Sequence, residues 1–466
     1  MLVGGFLVCG ILALLADDRG ANLATLGAIL LFGMTVTELR HTPAPPTGTP
    51  GEYEIIVRER LSEREGKTAS GTTIRARRNS ATGEWLPAAG NLVVRCDSST
   101  VLNPGDRAVV RGKIYPFTAR HGGYGRLMTR RGYVGTLYLN RSSLLLRDTL
   151  HRELSPKHLS LFLHERAVAR LDRLALAPDE QALCNAMTAG DRRSLSPALR
   201  TAYSRSGTSH LLAVSGLHVG IVFLLANLLL WWLPLFRHGH ILRNIAVILL
   251  IWLYAATTGF PPSVVRAALM FSVLQFALAS SSEYVGMNTL AGVAFVMLLF
   301  HPDYLFDISF QLSFIAVAGI IAWGLPLCRL LRTRRKSIDM LTATLAIGFS
   351  ASAATAPLIS HTFGQISVVG LALNPVVILL SYVVVGSCTL WLVIPGTVLA
   401  PLFSDVAGFA ARAQNELIRA AAALPAAALD IRLTTTQCWI VYGLFIFATL
   451  LLWSAERKKS VSSLPE

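Results

Sequence analysis

The spacing of apolar and polar residues predicts a membrane-embedded chain with one inserted β-domain. Two apolar runs, residues 1–16 and 21–39, are separated only by Asp17-Asp18-Arg19-Gly20. The first run has no basic start, and the second follows it directly, so we expect a membrane hairpin over residues 1–40 rather than a cleaved signal peptide. From Ser209 to Trp453 long apolar runs return. Their lengths predict a polytopic α-helical membrane protein with about eight to eleven membrane segments.

Residues 41–149 follow the two-residue period of β-strands instead. Five short runs rich in β-branched residues are separated by Gly, Pro and Asn, which is typical of a small barrel or sandwich. We therefore predict an external β-domain, OB-like in its length and strand number. The predicted strands are Glu52–Glu59, Thr72–Arg78, Asn91–Cys96, Arg107–Ile114 and Tyr133–Leu139.

The remaining segments complete the predicted organisation. Residues 150–205 have helical, amphipathic spacing and are assigned as a connector. Within it, the turn Gly190–Pro197 restarts a helix, and Asp191 is a candidate cap for that helix. Residues 206–456 form the transmembrane domain, in which 403–424 is predicted to be an amphipathic interfacial helix. Residues 457–466 form a basic cytoplasmic tail.

Charge is concentrated in the predicted soluble part. The chain is 53% hydrophobic, only 15% charged, and has a formal net charge of +15. Between His41 and Arg205 there are 26 Lys and Arg against 15 Asp and Glu, a net of +11. Such a field suits a polyanion or an anionic surface, although a solvated basic surface would give the same count.

Aromatic and basic residues alternate near the end of the predicted β-domain. Interleaved stacking and phosphate-binding groups are typical of platforms for single-stranded nucleic acid. An aromatic core with a solvated basic rim is the alternative. The candidate DNA-binding residues are Lys113, Tyr115, Arg120, Tyr124, Arg126, Arg130 and Arg131.

Several polar residues occur at predicted membrane depth. If residues 207–236 form one helix, His210, Ser215 and His218 fall within roughly 140° of arc and share a face. Such residues usually face a bundle interior or a pathway, although a small-residue packing face is an open alternative. Ser215 with a histidine also allows an intramembrane serine hydrolase, but no acidic residue is nearby to orient the base.

Later membrane segments carry further candidates. Arg266 begins a helix and could bind a phosphate or pair with Asp303 or Asp307. Gln311 and Ser313 place an amide and a hydroxyl in a later span. Asn374-Pro375 is predicted to break another span, which favours a conduit over an anchor. A transporter of another anionic solute or polymer therefore stays open.

Basic loops predict the orientation. Arg329, Arg332, Arg334, Arg335 and Lys336 form a dense cluster that is expected inside the cytoplasm. Counting spans back from it places residues 41–205 outside the cytoplasm.

Metal and redox chemistry have little support in the sequence. The six cysteines show no C-x-x-C pair, and Cys96 and Cys184 could form one disulfide or stay as two buried thiols. The His238-Gly239-His240 pair lacks the acidic companion of a hydrolytic metal site. We expect no cofactor, no metal and no enzymatic activity.

Several motifs together resemble the ComEC-type competence proteins. They are GDRRSL, HLLAVSGLHV, TTGFPPSVVRAALM, HPDYLFDISFQLSF and the Pro357/Phe363/Asn374 region, with the NPGD turn and RRGYVGTLYL in the external part. The resemblance implies an inner-membrane channel that passes one strand of transforming DNA into the cytoplasm. It also implies functional roles for Asp191, His210, Ser215, His218, Arg266, Gln311, Ser313 and Asn374.

The same resemblance implies partners. These are single-stranded DNA, the lipid bilayer, an external DNA receptor and a helicase or motor inside, and a homo-oligomer is compatible with the sequence. Many family members end in a metallo-β-lactamase-like domain, whereas this sequence stops at Glu466 and has no H-x-H-x-D-H cluster. We therefore expect a separate nuclease to degrade the other strand.

Overall fold

The computed structural model divides into two compact units. It describes residues 48, 50–64, 67–79, 82–97, 100, 102, 105–117, 125, 128–129, 132–148, 156–280, 286–394, 400–425, 427–445, 447 and 449. The first unit holds the described residues up to Phe162 together with Phe295–Phe306, and the second holds Leu163–Ala294 and the described residues from Asp307 onward. The predicted hairpin (1–40) and basic tail (457–466) lie outside the described residues. The five predicted domain boundaries stay predictions.

The first unit contains six strands. Each of the five predicted strands is present, four of them longer than predicted. The bounds are β1 Pro50–Arg64, β2 Lys67–Arg78, β3 Trp85–Cys96, β4 Arg107–Pro116, β5 Tyr133–Leu139 and β6 Leu144–Asp148.

The first five strands close into a barrel. The order is β1-β2-β3-β5-β4, and β4 pairs back onto β1. All these pairs are antiparallel except β3–β5, which is parallel. This closure confirms the OB-like barrel, and it leaves no free edge among the five strands.

Alternation along the strands builds the barrel core. Tyr53, Ile55 and Val57 on β1 are each 1% exposed or less, as are Ile114 on β4 and Leu137 on β5. Because successive side chains of a strand point to opposite faces, Glu54 and Ile56 lie on the other face, where Glu54 is half-buried and Ile56 is itself 1% exposed. The period-two pattern in the sequence is therefore the cause of the barrel.

Strand β6 is an addition that the pattern did not predict. It pairs with β4, and its Leu145 and Leu146 are exposed. Arg147 on β6 donates from Nε to Asp106 at 2.9 Å, and the Asp106 side chain is fully buried. This ion pair fixes an edge strand whose sequence, LLLRD, has no alternation.

Twelve helices lie in the described part of the chain. Their bounds are α1 Pro156–Leu171, α2 Pro178–Thr188, α3 Pro197–Arg205, α4 Gly216–Leu229, α5 Gly239–Thr257, α6 Pro262–Ser280, α7 Gly286–Phe300, α8 Ile308–Gly319, α9 Leu325–Leu330, α10 Lys336–Phe363, α11 Val369–Val393 and α12 Ala400–Ala422.

Five segments are long and apolar enough to cross a membrane. They are Gly216–Leu235, Gly239–Thr257, Ile308–Leu330, Lys336–Phe363 and Val369–Val393, with two shorter apolar helices at Pro262–Leu278 and Gly286–Phe300. The segment Ile308–Leu330 joins α8 and α9 through a π-helical turn, Ile320–Gly324. The polytopic membrane fold with a small barrel is thereby confirmed.

The second unit has two apolar cores. One forms among α4, α5 and α6 around Val219, Ile251 and Ala268. The other brings α2 and α3 of the predicted connector against α11 and α12, around Leu183, Val384 and Ala411. The sequence predicted that α12 lies at the membrane interface. Its buried face instead packs against α2, α3 and α11 of this unit.

Candidate functional site

Three of the sequence motifs meet around the start of α4. A Cβ on Gly190, which has φ +82°, would lie 3.3 Å from Cγ2 of Val214 and 3.7 Å from the carbonyl oxygen of Thr258. Ser263 Oγ donates to the carbonyl oxygen of Val214 at 3.0 Å. We call this meeting point, defined by Gly190, Val214, Gly216, Ser263 and Arg266, the α4 junction.

Ser215 and His218 form the N-terminal cap of α4. Ser215 N–H donates to Nδ1 of His218 at 3.0 Å, and Ser215 Oγ lies 3.0 Å from the same nitrogen. Because Nδ1 accepts a backbone N–H, the proton of the neutral ring is assigned to Nε2. The His218 side chain is fully buried, and Nε2 has no hydrogen-bond partner among the described residues. The pair therefore caps a helix, and no described carboxylate orients it as a serine hydrolase needs.

His210 does not share a helix with that pair. It lies on a single 3₁₀ turn, Ser209–Leu212, after which Ala213 and Ser215 are extended. The condition for a shared face, one helix over 207–236, is not met, because the capping box at Ser215 makes Gly216 the first helical residue of α4. The His210 side chain is exposed, while Leu211 and Leu212 beside it are buried.

Arg266 points from α6 into the α4 junction. Its side chain is 7% exposed, and its Nη2 would lie 3.0 Å from a Cβ on Gly216. Its guanidinium carbon lies 5.8 Å from the ring centroid of Phe314 on α8. No ion pair joins Arg266 to a carboxylate whose side chain the structure describes, and the side chain of Asp303 is not among those described; Asp307 instead accepts from Ser309 N–H at 2.8 Å and caps α8. Gly216 and Phe314 were missed by sequence reasoning, since their positions depend on how three helices pack.

Asp191 is buried in its own turn. It accepts from the backbone and side chain of Arg193, including Nη2 at 2.8 Å. Burial alone would raise the pKa of Asp191, but the hydrogen bonds and charge of Arg193 outweigh it and hold that pKa below its ordinary value. The predicted cap of the following helix is wrong: Ser196, which accepts from Leu199 N–H, caps α3. Asp191 is five residues too early for that role.

The other predicted polar residues lie on two membrane helices. Gln311 and Ser313 are half-buried on α8. Asn374 is half-buried on α11, and its Oδ1 has no partner among the described residues. The predicted break at Asn374-Pro375 is wrong, since α11 runs unbroken through Pro375. This proline lies in the second helical turn, where it withholds a donor from the Leu371 carbonyl without ending the helix.

Exposed aromatic and basic side chains adjoin one another on the barrel. Lys113 Nζ lies 5.6 Å from the ring centroid of Tyr115, and the Tyr115 and Tyr138 rings are 5.8 Å apart, edge to face. Tyr115 is 47% and Tyr138 55% exposed. Arg95 on β3 is exposed and is the register partner of Tyr138. We call Arg95, Lys113, Tyr115 and Tyr138 the barrel strip.

Sequence reasoning found only half of the barrel strip. Tyr138 could have been found from the alternation in YVGTLYL, which turns it outward, whereas Arg95 needs the β3–β5 pairing. The remaining candidates, Arg120, Tyr124, Arg126, Arg130 and Arg131, lie outside the described residues.

The described residues hold no assembled metal or disulfide site. No group of three or more His, Cys, Asp or Glu lies together among them. Cys96 and Cys184 are both buried free thiols, in separate units. The alternative of two unpaired thiols is the one that the structure supports.

Comparison with known proteins identifies one family. The profile described as Competence protein matches residues 187–458. The chain is 33% identical over 204 residues to ComE operon protein 3 of Bacillus subtilis (strain 168), covering 43% of this chain and 24% of that protein. It is 29% identical over 201 residues to an uncharacterized protein of Aquifex aeolicus (strain VF5), covering 43% and 45%. The chain thus spans less than half the length of these relatives, and no solved structure matches it.

Proposed function

Because the chain belongs to the competence protein family, we propose that it is the channel that passes one strand of transforming DNA across the inner membrane. Two findings support the proposal: the family match over 187–458 and the membrane helices. The observation that carries the choice of single-stranded DNA is the barrel strip, where bases could stack beside phosphate-binding groups.

The strand would first be held by the barrel. Lys113 and Arg95 supply sequence-independent attraction to phosphates, while Tyr115 and Tyr138 offer faces to any base. Such binding tolerates every sequence, as uptake of arbitrary DNA requires. The net charge of +11 over residues 41–205 draws the strand to the same region.

The strand would then follow polar groups through the membrane domain. His210, Ser215, Gln311, Ser313 and Asn374 are the candidates for this path, because polar groups at depth usually face a pathway. In this proposal the barrel lies outside the cytoplasm, and the cluster at 329–336 lies inside. An external receptor, an internal motor and a separate nuclease supply the remaining steps, and the chain itself performs no catalysis.

Removal of both tyrosine rings tests the barrel strip. The double variant Tyr115→Ala/Tyr138→Ala, as the full chain in detergent, is expected to bind fluorescent oligothymidylate more weakly by about 1–3 kcal/mol for each base that stacks. Fluorescence anisotropy at several salt concentrations measures this. The salt slope should stay unchanged, because no phosphate contact is removed.

The matched control keeps the rings. Tyr115→Phe/Tyr138→Phe is expected to bind like the unmodified chain. Equal affinity of the alanine and phenylalanine variants would remove the strip from the proposal. Equal affinity of the unmodified chain for oligothymidylate and for a polyanion without bases, such as polyphosphate, would favour a transporter of another anionic polymer.

A further inference from the structure

The guanidinium of Arg266 is a buried cation without a described anionic partner. The side chain is 7% exposed, and its Nε makes no hydrogen bond within the described residues. Its contacts are weak: Nη1 lies 3.9 Å from Sδ of Met270, and the guanidinium faces the Phe314 ring. A buried charge is costly unless it is paired, so a negatively charged group bound beside Arg266 would be stabilised.

The surroundings add to the positive potential. Arg266 Nη2 lies beside Gly216, the first residue of α4. The N-terminus of a helix carries partial positive charge and unpaired N–H groups. Two candidate carboxylates have other partners, since Asp307 caps α8 and Asp191 pairs with Arg193. A cation therefore lies beside the N-terminus of α4, which Ser215 and His218 cap, and no carboxylate whose side chain the structure describes pairs with Arg266 at the α4 junction.

We propose that Arg266 and the first turn of α4 form a binding site for the phosphodiester group of single-stranded DNA. A guanidinium offers two parallel N–H donors to phosphate oxygens, and the backbone N–H groups of a helix N-terminus also donate to oxyanions. This inference rests on the proposed function. It adds a contact between the membrane domain and the phosphates of the strand, which does not depend on the base sequence.

Gly216 sets the room available at this site. A methyl group there would lie 3.0 Å from Arg266 Nη2, closer than side chains ordinarily approach. Alanine has a higher helix propensity than glycine, so the Gly216→Ala variant should fold. Its added methyl group should narrow the gap between the Arg266 guanidinium and α4. Weaker phosphate binding by Gly216→Ala could therefore be attributed to the site and not to misfolding.

The first experiment uses dimethyl phosphate, a minimal phosphodiester, with the full chain in maltoside detergent. Thermal unfolding is followed with and without the probe. The unmodified chain is expected to be stabilised, and Arg266→Gln to lose that stabilisation with affinity reduced roughly tenfold or more. Gly216→Ala should weaken the probe in the same direction, while Arg332→Gln, which removes an exposed arginine of the 329–336 cluster, should not.

The thermal unfolding midpoint without dimethyl phosphate gives an independent test. If Arg266 is an unpaired buried charge, Arg266→Gln should leave the probe-free midpoint unchanged or raise it. A lowered midpoint would show that Arg266 is already paired in the folded chain, and the site would be withdrawn. Absence of dimethyl phosphate stabilisation in the unmodified chain would overturn the proposal as well.

A phosphodiester group occurs both in DNA and in phospholipid headgroups, so the two are then compared. Tetrathymidylate is expected to stabilise the unmodified chain through Arg266, and phosphatidylglycerol to act equally on the unmodified chain and Arg266→Gln. Stabilisation through Arg266 by the lipid alone would assign the site to a headgroup and overturn the strand assignment. DNA uptake by cells tests the proposed channel separately, so loss of the site and loss of the function are distinguishable.

Discussion

Replacing Gly239 with alanine is expected to prevent the turn between α4 and α5 from closing. A Cβ at this position would overlap the backbone carbonyl of Leu233, which cannot move aside as a side chain can. We expect a loss of roughly 4 kcal/mol or more of folding stability, at the upper end of single-residue effects. The yield of folded full-length chain in membranes and its thermal midpoint in detergent measure this.

Gly348→Ala is the matched control for Gly239→Ala. Gly348 lies inside α10, and a Cβ there would meet nothing within 4 Å. Alanine should therefore be tolerated and add about 0.5–1 kcal/mol through its better helix propensity. If both variants behaved alike, the close approach of Gly239 to Leu233 would be refuted.

Replacing Asn415 with alanine is expected to loosen the core that joins α2, α3 and α12. Tyr203 OH donates to Asn415 Oδ1 at 3.1 Å, and Asn415 Nδ2 donates to the carbonyl oxygen of Asp179 at 3.1 Å. Asn415 is 2% and Tyr203 0% exposed. Each buried group left unpaired costs about 1–3 kcal/mol, so we expect a loss of about 2–5 kcal/mol in thermal or denaturant unfolding.

Two further variants make that expectation specific. Glu416→Ala removes an exposed side chain of the same helix and should change stability by less than about 0.5 kcal/mol. Tyr203→Phe combined with Asn415→Ala should cost less than the sum of the single variants, because both remove the same hydrogen bond. Strict additivity would show that the two side chains do not interact.

Local patterns predicted the elements of this fold well. The alternation of Tyr53, Ile55 and Val57 is a property of a few consecutive residues, and the barrel strands follow from it. The apolar runs likewise marked the membrane helices, because length and hydropathy need no knowledge of neighbours. Strand β6 was not predicted, because its sequence shows no alternation of apolar and polar residues. The Asp106–Arg147 ion pair holds it at the edge of the sheet instead.

The sites depend on packing between distant segments, and there the sequence was less informative. The motifs marked Arg266, but its position beside Gly216 and Phe314 follows from three helices meeting. Spacing misplaced His210 because a capping box, formed by the side chain of His218, restarts the helix. Arg95 and Tyr138 adjoin through a parallel β3–β5 pairing that no short-range pattern specifies.

The most direct test of the channel assignment is uptake of labelled duplex DNA by cells with and without this chain, scoring protected internal single strands. We expect internal strands to disappear without the chain while DNA bound at the cell surface persists. Reintroducing the unmodified chain should restore them. Unchanged internal strands in cells that lack the chain would contradict the channel assignment and leave another polyanion as its cargo.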